Sequence, residues 1–249
     1  MLEAAGLGLS AGSRELVRAL DLALAPGQFW ALLGRNGAGK TSLILALAGL
    51  RAPQSGRVAL DGSPLAAYRK SELARRVAVL LQDEDTDFWG SVLDYVMLGR
   101  YPRSRSAFGR DEEGAALARL HLAELDLADR SSQAYRTLSG GERQRARIAQ
   151  VLVQDAEIVL LDEPLQHLDL RHQGQVMRIL SGCAGNGKTV LAALHEPGHA
   201  ARHCGFSLLL YDAGRASLGR SSDMLTHANL EALYQCRLEA AVPQGFLPA

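Results

Sequence analysis

The stretch that most constrains this chain joins an apolar segment to a helix-forming one between Phe29 and Leu43. At its centre lies the phosphate-binding loop pattern Gly34-x-x-x-x-Gly39-Lys40-Thr41. The glycines let backbone N–H groups turn inward around an anion, and the next helix points its positive N-terminus there. Lys40 adds a charge for the outer phosphates, and the Thr41 hydroxyl can ligate magnesium. The predicted phosphate-binding residues are Gly34, Arg35, Asn36, Gly37, Ala38, Gly39, Lys40, Thr41 and Ser42.

The same letters recur at Gly182–Thr189, but there the order of elements is reversed. The segment before this second match, Leu170–Leu180, is predicted as a helix, and Thr189–Leu194 after it as a strand. A helix C-terminus presents carbonyl groups and the negative end of the dipole, which repel phosphate. We therefore interpret the second match as a helix end followed by a loop.

Composition restricts the partners of the chain. Lys and Arg number 27, as do Asp and Glu, and this zero net charge argues against nucleic acid held by bulk charge. The isolated cysteines Cys183, Cys204 and Cys236 predict neither a disulfide framework nor a zinc site, and a reducing cytosol fits best. No secretory signal is visible and the apolar runs are too short to cross a bilayer, so any membrane role is expected through a partner.

Alternating strand-like and helix-like segments predict an α/β fold built on a mainly parallel sheet. The alternating leucines of Leu7–Leu9 and Leu20–Leu24 predict an antiparallel edge. Strand-like texture is lost between residues 83 and 155, where helices are predicted. We predict one domain, 1–249, with an α/β core at 1–82 and 156–249 and a helical insertion at 83–155.

Capping residues locate several helix starts within these segments. Ser71 is predicted to begin a short helix that ends at Arg75, and Ser91 one that runs to Gly99. Asp111 is predicted to begin an amphipathic helix. The basic loop Arg100–Arg110 between the last two is interpreted as solvated surface.

Two adjacent acids, Asp162 and Glu163, end the apolar segment Ile158–Leu161. Because successive strand residues point to opposite sides, the two carboxylates are expected to have different tasks. One is suited to hold magnesium and the other to polarise an attacking water. A solvated Asp-Glu-Pro turn is the alternative interpretation, which the phosphate loop makes the weaker one.

The segment Leu138–Gln144 opens an arginine-rich helix. Ser139 and Glu142 form a capping box, but that motif leaves Gly140 and Gly141 unexplained. Two glycines in the first turn weaken a helix. They are expected where another backbone or a phosphate approaches the helix N-terminus closely.

The chain resembles the ATP-binding subunit of ABC transporters over nearly its whole length. The motifs that carry the resemblance are the phosphate loop, then Leu-Ser-Gly-Gly-Glu-Arg-Gln, then Leu-Leu-Asp-Glu-Pro. The resemblance implies an ATP hydrolase that binds ATP and Mg²⁺ and acts as a homodimer with two ATP molecules at the interface. It places the signature residues against ATP bound to the other copy: Ser139, Gly140, Gly141 and Glu142.

The resemblance also implies roles around the phosphates. Magnesium would be held by Thr41, Gln82 and Asp162, and Gln82 would link the site to a membrane subunit. Catalysis would involve Gln82, Glu163 on the attacking water and His195 on the γ-phosphate. Asp169 retains the acid of the D-loop, Gln166–Asp169, in which His167 is interpreted as an interface residue.

The chain departs from the family pattern near the adenine. Members usually stack adenine on an aromatic residue of the first strand, whereas Ser10–Arg14 contains none; Arg14 is available instead. His195 is followed by Glu196 where Asp is usual. A metal site on the histidines of His195–His203 is not predicted, because Pro197 is expected to begin a new helix.

Features outside these motifs most resemble bacterial importers. The chain has one signature and neither fused membrane helices nor a coiled coil, which indicates a stand-alone importer ATPase. Two segments, Leu98–Pro102 and Asp169–Gln173, resemble those of importers of iron-siderophores, haem and cobalamin. The implied partners are a membrane permease dimer and, indirectly, a periplasmic binding protein, without nucleic acid. The implied location is the cytoplasmic face of the inner membrane. Another importer, an exporter or a soluble ATPase without transport are the alternatives.

Overall fold

The computed structural model describes residues 1–82, 87–103 and 111–238. Residues 104–110 of the basic loop therefore lie outside the described residues. The strands are β1 (Leu2–Ala11), β2 (Arg14–Leu24), β3 (Phe29–Gly34), β4 (Ser55–Leu60), β5 (Ser63–Pro64), β6 (Val77–Leu80), β7 (Ile158–Asp162), β8 (Thr189–Ala193), β9 (Phe206–Leu210) and β10 (Ala216–Arg220). The helices are α1 (Lys40–Leu47), α2 (Lys70–Arg76), α3 (Val92–Met97), α4 (Glu112–Glu124), α5 (Gly140–Val153), α6 (Leu170–Gly185), α7 (Pro197–His203), α8 (Ser221–Met224) and α9 (His227–Tyr234).

The larger sheet has the strand order β10-β9-β3-β8-β7-β6 within the described residues. Its five strands from β9 to β6 pair in parallel, and β10 closes one edge antiparallel to β9. Strands β3, β7 and β8 are buried along their whole length, which explains their nearly continuous apolar sequences. Parallel pairing brings the carboxyl ends of β3, β6, β7 and β8 to one edge of the sheet, where ligands bind in open α/β folds.

The alternating leucines near the N-terminus form a separate antiparallel sheet, with the order β2-β1-β4-β5. The predicted antiparallel strands are present, and they pack with α1 over one face of the larger sheet. Leu2, Leu24 and Leu60 pack in the same buried cluster as Trp30 and Ile44. Their alternation reflects one face buried in this cluster and one face exposed.

Helices α3 to α7 cover the opposite face of the larger sheet. Their buried side chains form one cluster that continues into the sheet, from Tyr95 and Leu122 to Val159 and Leu209. The rings of Tyr95 and Tyr135 stack at 3.9 Å within this cluster. The division between an insertion at 83–155 and the rest stays a prediction, and residues 83–86 lie outside the described residues.

Two helix bounds differ from the capping expectations. Helix α2 begins one residue before Ser71, because Glu72 bonds back to the backbone N–H of Arg69, which makes Arg69 the N-cap. Helix α3 ends at Met97 and continues as a 3-10 turn, Leu98–Arg103. In the described part of the chain no helix has the length and apolar character needed to cross a bilayer.

Candidate functional site

The phosphate loop joins β3 to α1, the strand-then-helix order that its sequence predicts. Gly39 has a φ of 107°, and a Cβ added there would lie 2.9 Å from the Cβ of Leu16. A Cβ on Gly34 would lie 2.8 Å from the carbonyl oxygen of Leu210. Within the described residues no side chain caps α1 at Gly39, so its first N–H groups stay available to an anion. The loop therefore fits a phosphate chain.

Lys40 lies at the floor of this loop, with only 5% of its side chain exposed. Its Nζ donates to the carbonyl oxygen of Gly34 at 3.0 Å and lies 3.8 Å from Oε1 of Glu163. Burial lowers the pKa of Lys40, while Glu163 and Asp162 oppose that shift. The nearby carboxylates thus favour the charged ammonium that a phosphate needs.

Glu163 is the meeting point of the predicted catalytic residues. Its Oε1 lies 2.8 Å from Nε2 of His195, and its Oε2 accepts a hydrogen bond from Nε2 of Gln82 at 3.2 Å. Lys40 is the third neighbour of this carboxylate. The three neighbours follow β3, β6 and β8 in the chain, and Glu163 itself follows β7. Glu163 also has a left-handed backbone, with φ of 52°, which is rare for a glutamate and typical of functional sites.

Asp162 sits beside Glu163 but points into a different environment. Only 1% of the residue is exposed, and within the described residues neither carboxylate oxygen makes a hydrogen bond of good geometry. Burial raises the pKa of Asp162, and the nearby Thr41 hydroxyl opposes this shift only in part. A buried carboxylate without a partner, next to a hydroxyl, is a donor set that suits Mg²⁺. The residues present fit that ion.

An open cleft of about 650 Å³ connects these groups. It is lined by residues of the phosphate loop and by Gln82, Glu163 and His195. Arg14, the predicted substitute for the missing aromatic residue, lines the same cleft. Gln166 of the D-loop also lines it, as does Leu16, which nothing in the sequence pattern singled out.

The signature segment lies elsewhere, since none of the described residues that line the cleft belongs to Leu138–Gln144. Its capping box is formed: Ser139 Oγ accepts from the N–H of Glu142 at 3.3 Å, and Glu142 Oε2 accepts from the N–H of Ser139 at 2.8 Å. A Cβ on Gly141 would lie 3.0 Å from the carbonyl oxygen of His167. The backbone that lies close to Gly141 is therefore the D-loop of the same chain.

The D-loop acid has a local contact. Asp169 caps α6, accepting from the N–H of His172 at 2.9 Å, and the ring Nδ1 of His172 lies 2.8 Å from the same oxygen. No group of three or more His, Cys, Asp or Glu in the described ranges is arranged to hold a metal ion. His195 turns to Glu163, while His199 stacks on His203 at 6.4 Å, as the predicted helix start at Pro197 implies.

Sequence reasoning missed the partners of Arg35 in the phosphate loop. Arg35 Nη1 donates to Oε1 of Gln235 at 2.6 Å and to Oδ2 of Asp212 at 3.2 Å. Asp212 follows β9 by two residues, so it lies at the same sheet edge as the other site residues. That position, after a buried parallel strand, is the signal that would have identified it.

Comparison with known proteins gives one family. Residues 17–166 match the ABC transporter family. The hemin import ATP-binding protein HmuV of Pseudomonas entomophila is 41% identical over 239 residues, 94% of this chain and 92% of that protein. HmuV of Myxococcus xanthus is 36% identical over 264 residues, 99% of this chain and 98% of that protein.

Solved structures agree with the fold. A chain from an inward-facing transporter, assigned to the metal-chelate type of ABC transporters, superposes with a TM-score of 0.80 at 27% identity, covering 94% of this chain and 88% of that one. A dimeric ATP-binding cassette bound to ADP and Pi has a TM-score of 0.77 at 22% identity, covering 89% and 99%. The second likeness shows the fold alone.

Proposed function

The chain belongs to the ABC transporter family, and we propose that it is the ATP-hydrolysing subunit of a bacterial importer for metal chelates. The observation that carries this function is the convergence of Lys40, Gln82 and His195 on Glu163, above a phosphate loop. A single carboxylate held beside a buried lysine and a histidine is placed to handle a proton next to phosphate.

Each residue has a distinct role in this proposal. Glu163 takes a proton from the attacking water as the new O–P bond forms, and ADP leaves with the oxygen of the broken bond. Lys40 neutralises the outer phosphates, and the imidazole of His195 donates to the γ-phosphate. Thr41, Gln82 and Asp162 would hold Mg²⁺, which supplies charge neutralisation to the phosphates when bound.

The functional unit is proposed to be a homodimer. The signature helix N-terminus is exposed at Ser139 and Gly140, with the D-loop beside it, away from the chain's own cleft. A helix N-terminus free of bulky side chains is suited to bind a phosphate. The residues Ser139 to Glu142 would therefore complete the ATP site of the second copy.

Haem is the proposed cargo, because the relatives named above are hemin import ATP-binding proteins. Iron-siderophores and cobalamin are the alternative cargoes among metal chelates. The proposal includes a membrane permease dimer that carries the cargo, a periplasmic binding protein that delivers it, and a position at the cytoplasmic face of the inner membrane.

Uptake by a deletion strain tests this function. Cells lacking the gene are complemented with the wild-type chain or with Glu163→Gln, and accumulation of haem, cobalamin and a ferric siderophore is measured. We expect the wild-type chain alone to restore haem uptake. Restoration of another chelate only would overturn haem as cargo, and no effect on any chelate would indicate an ATPase outside chelate import.

A further inference from the structure

Asp212 links Arg14 of the cleft and Arg35 of the phosphate loop to the end of α9. It belongs to the 3-10 turn Asp212–Gly214 between β9 and β10. Its Oδ2 lies 3.2 Å from Nη1 of Arg35 and accepts from Nε2 of Gln235 at 2.7 Å. Its Oδ1 lies 3.7 Å from Nη2 of Arg14. One carboxylate therefore joins the phosphate loop, the start of β2 and the end of α9.

The turn that carries Asp212 is held tightly against β2. Gly214 has a φ of 73°, and a Cβ there would lie 3.1 Å from Cγ of Glu15 and 3.2 Å from the backbone nitrogen of Arg18. The N–H of Tyr211 donates to the carbonyl oxygen of Arg215 at 2.9 Å and closes the turn. Asp212 is thus fixed relative to Arg14, which begins the same strand β2.

Arg14 reaches from that strand to the mouth of the cleft. Its Nη1 lies 3.4 Å from where a Cβ of Gly37 would be, so the guanidinium lies against the phosphate loop. Asp212 pairs with the N–H edge of this guanidinium, and a guanidinium paired at its edge keeps its planar faces for stacking. More than half of the Arg14 side chain, 57%, is exposed and accessible to a ligand.

We propose that Asp212 is a positioning residue that holds the guanidinium of Arg14 as the stacking surface for the nucleotide base. The inference rests on the proposed function, since it concerns the same ATP site. A phosphate contact is the competing role for Arg14. The geometry favours the base, because the edge of Arg14 is directed to Asp212 while Lys40 lies under the loop for the phosphates.

A planar cation recognises a base by its face and not by its hydrogen-bonding edge. Stacking tolerates any base, and the large rings of purines overlap the guanidinium plane best. The site is therefore expected to bind ATP and GTP with affinities within about threefold of each other. Inorganic tripolyphosphate carries the phosphates without a base, so it separates the two roles of Arg14.

Calorimetry on the isolated chain with Mg²⁺ and either ATP, GTP or tripolyphosphate tests the proposal. Arg14→Ala is expected to weaken ATP on the order of tenfold and tripolyphosphate by less than about twofold. Arg14→Tyr is expected to restore ATP binding, since a ring stacks as well. Asp212→Asn is expected to lower the ratio of ATP affinity to tripolyphosphate affinity. Asp223→Asn removes an equal charge from α8, where the carboxylate accepts from Ser222, and is expected to leave that ratio unchanged.

Other results of this calorimetry would contradict particular parts of the proposal. Equal weakening of ATP and tripolyphosphate in Arg14→Ala would make Arg14 a phosphate ligand. An unchanged ratio in Asp212→Asn would remove the positioning role. A wild-type chain that binds tripolyphosphate but not ATP would overturn base stacking, and one that binds neither would overturn the proposed function itself.

Discussion

At the residue scale, Glu163 retains little freedom. Its left-handed backbone and its contacts with Gln82 and His195 hold the carboxylate in one place, 9% exposed, above Lys40. Strain of this kind persists where the surroundings impose it. The same contacts make His195 a separable part of the site, because its imidazole is half exposed and substitution leaves no buried gap.

Replacing His195 tests its role in hydrolysis. His195→Ala is expected to leave ATP affinity within about threefold and to lower turnover about 10²-fold or more, since one donor to the transferring phosphate is lost. Binding by calorimetry and phosphate release measure the two effects. His121→Ala on α4, where the ring pairs with Glu124, is the matched control and is expected to leave both unchanged. Full activity of His195→Ala would make His195 a structural residue.

Asp162 illustrates a conflict between stability and function. Burial raises its pKa in the folded chain above the unfolded value, so its favourable contribution to stability is present below the unfolded pKa. That contribution is lost as the pH rises through the folded pKa. The ligand-free chain therefore holds a buried carboxyl group without a well-aligned hydrogen bond, and its ionisation destabilises the chain increasingly as the pH rises.

Asp162→Asn is expected to raise the free energy of unfolding of the ligand-free chain by about 1–3 kcal/mol at neutral pH. Lys40 keeps its contacts with Gly34 and Glu163, so the loop retains its shape. Thermal melts of both chains from about pH 4 to about pH 8 measure the difference, which is expected to grow with pH. Stabilisation by Mg-ATP is expected to be lost in the variant. Equal melting of the two chains at every pH would contradict the assignment.

At the scale of elements, the local sequence pattern was sufficient to predict the strand and the helix that flank the phosphate loop. The strand before and helix after Gly34–Thr41 are confirmed. The second match lies at the end of a helix and before a strand, as predicted, but α6 extends five residues beyond Leu180, so Gly182 and Gly185 lie inside the helix and not in the predicted loop. The antiparallel strands were predicted, whereas their position over one face of the larger sheet was not, because alternation shows that one face is buried but not which layer buries it.

The signature helix offers a test at this scale. Glycine in a helix is usually less stable than alanine by about 0.5–1 kcal/mol. Gly182→Ala in α6 meets nothing within 4 Å and is expected to gain that amount. Gly141→Ala is expected to gain less or to lose stability, because its Cβ would lie 3.0 Å from the His167 carbonyl oxygen. Urea denaturation measures both; equal gains would show that the D-loop does not restrict Gly141.

For the whole molecule, the sequence predicts the participants of the site better than their arrangement. Glu163 follows from its motif, whereas Gln82 and His195 were assigned by resemblance alone. Their proximity depends on the neighbouring order β6-β7-β8, which periodicity does not determine. Asp212 and Gln235 were missed for the same reason: their contacts with Arg35 join residues 177 and 200 positions apart.

Assembly is the prediction that belongs to this scale. A chain that binds ATP without hydrolysing it is expected to accumulate as a dimer, because each signature segment would close on the ATP of the other copy. Glu163→Gln with Mg-ATP is expected to double its mass by light scattering, and Lys40→Ala is expected to stay a monomer under the same conditions. Persistent monomers at saturating ATP would contradict the homodimer.

The most direct test of the account is the rate of ATP hydrolysis by Glu163→Gln beside its ATP affinity. The amide keeps the shape of the side chain but cannot accept a proton, so turnover is expected to fall about 10²–10⁴-fold. ATP affinity is expected to stay within about threefold, because Lys40 keeps its hydrogen bond to Gly34 and the phosphate loop is unchanged. Turnover near the wild-type value, with ATP bound as tightly, would contradict the role of Glu163.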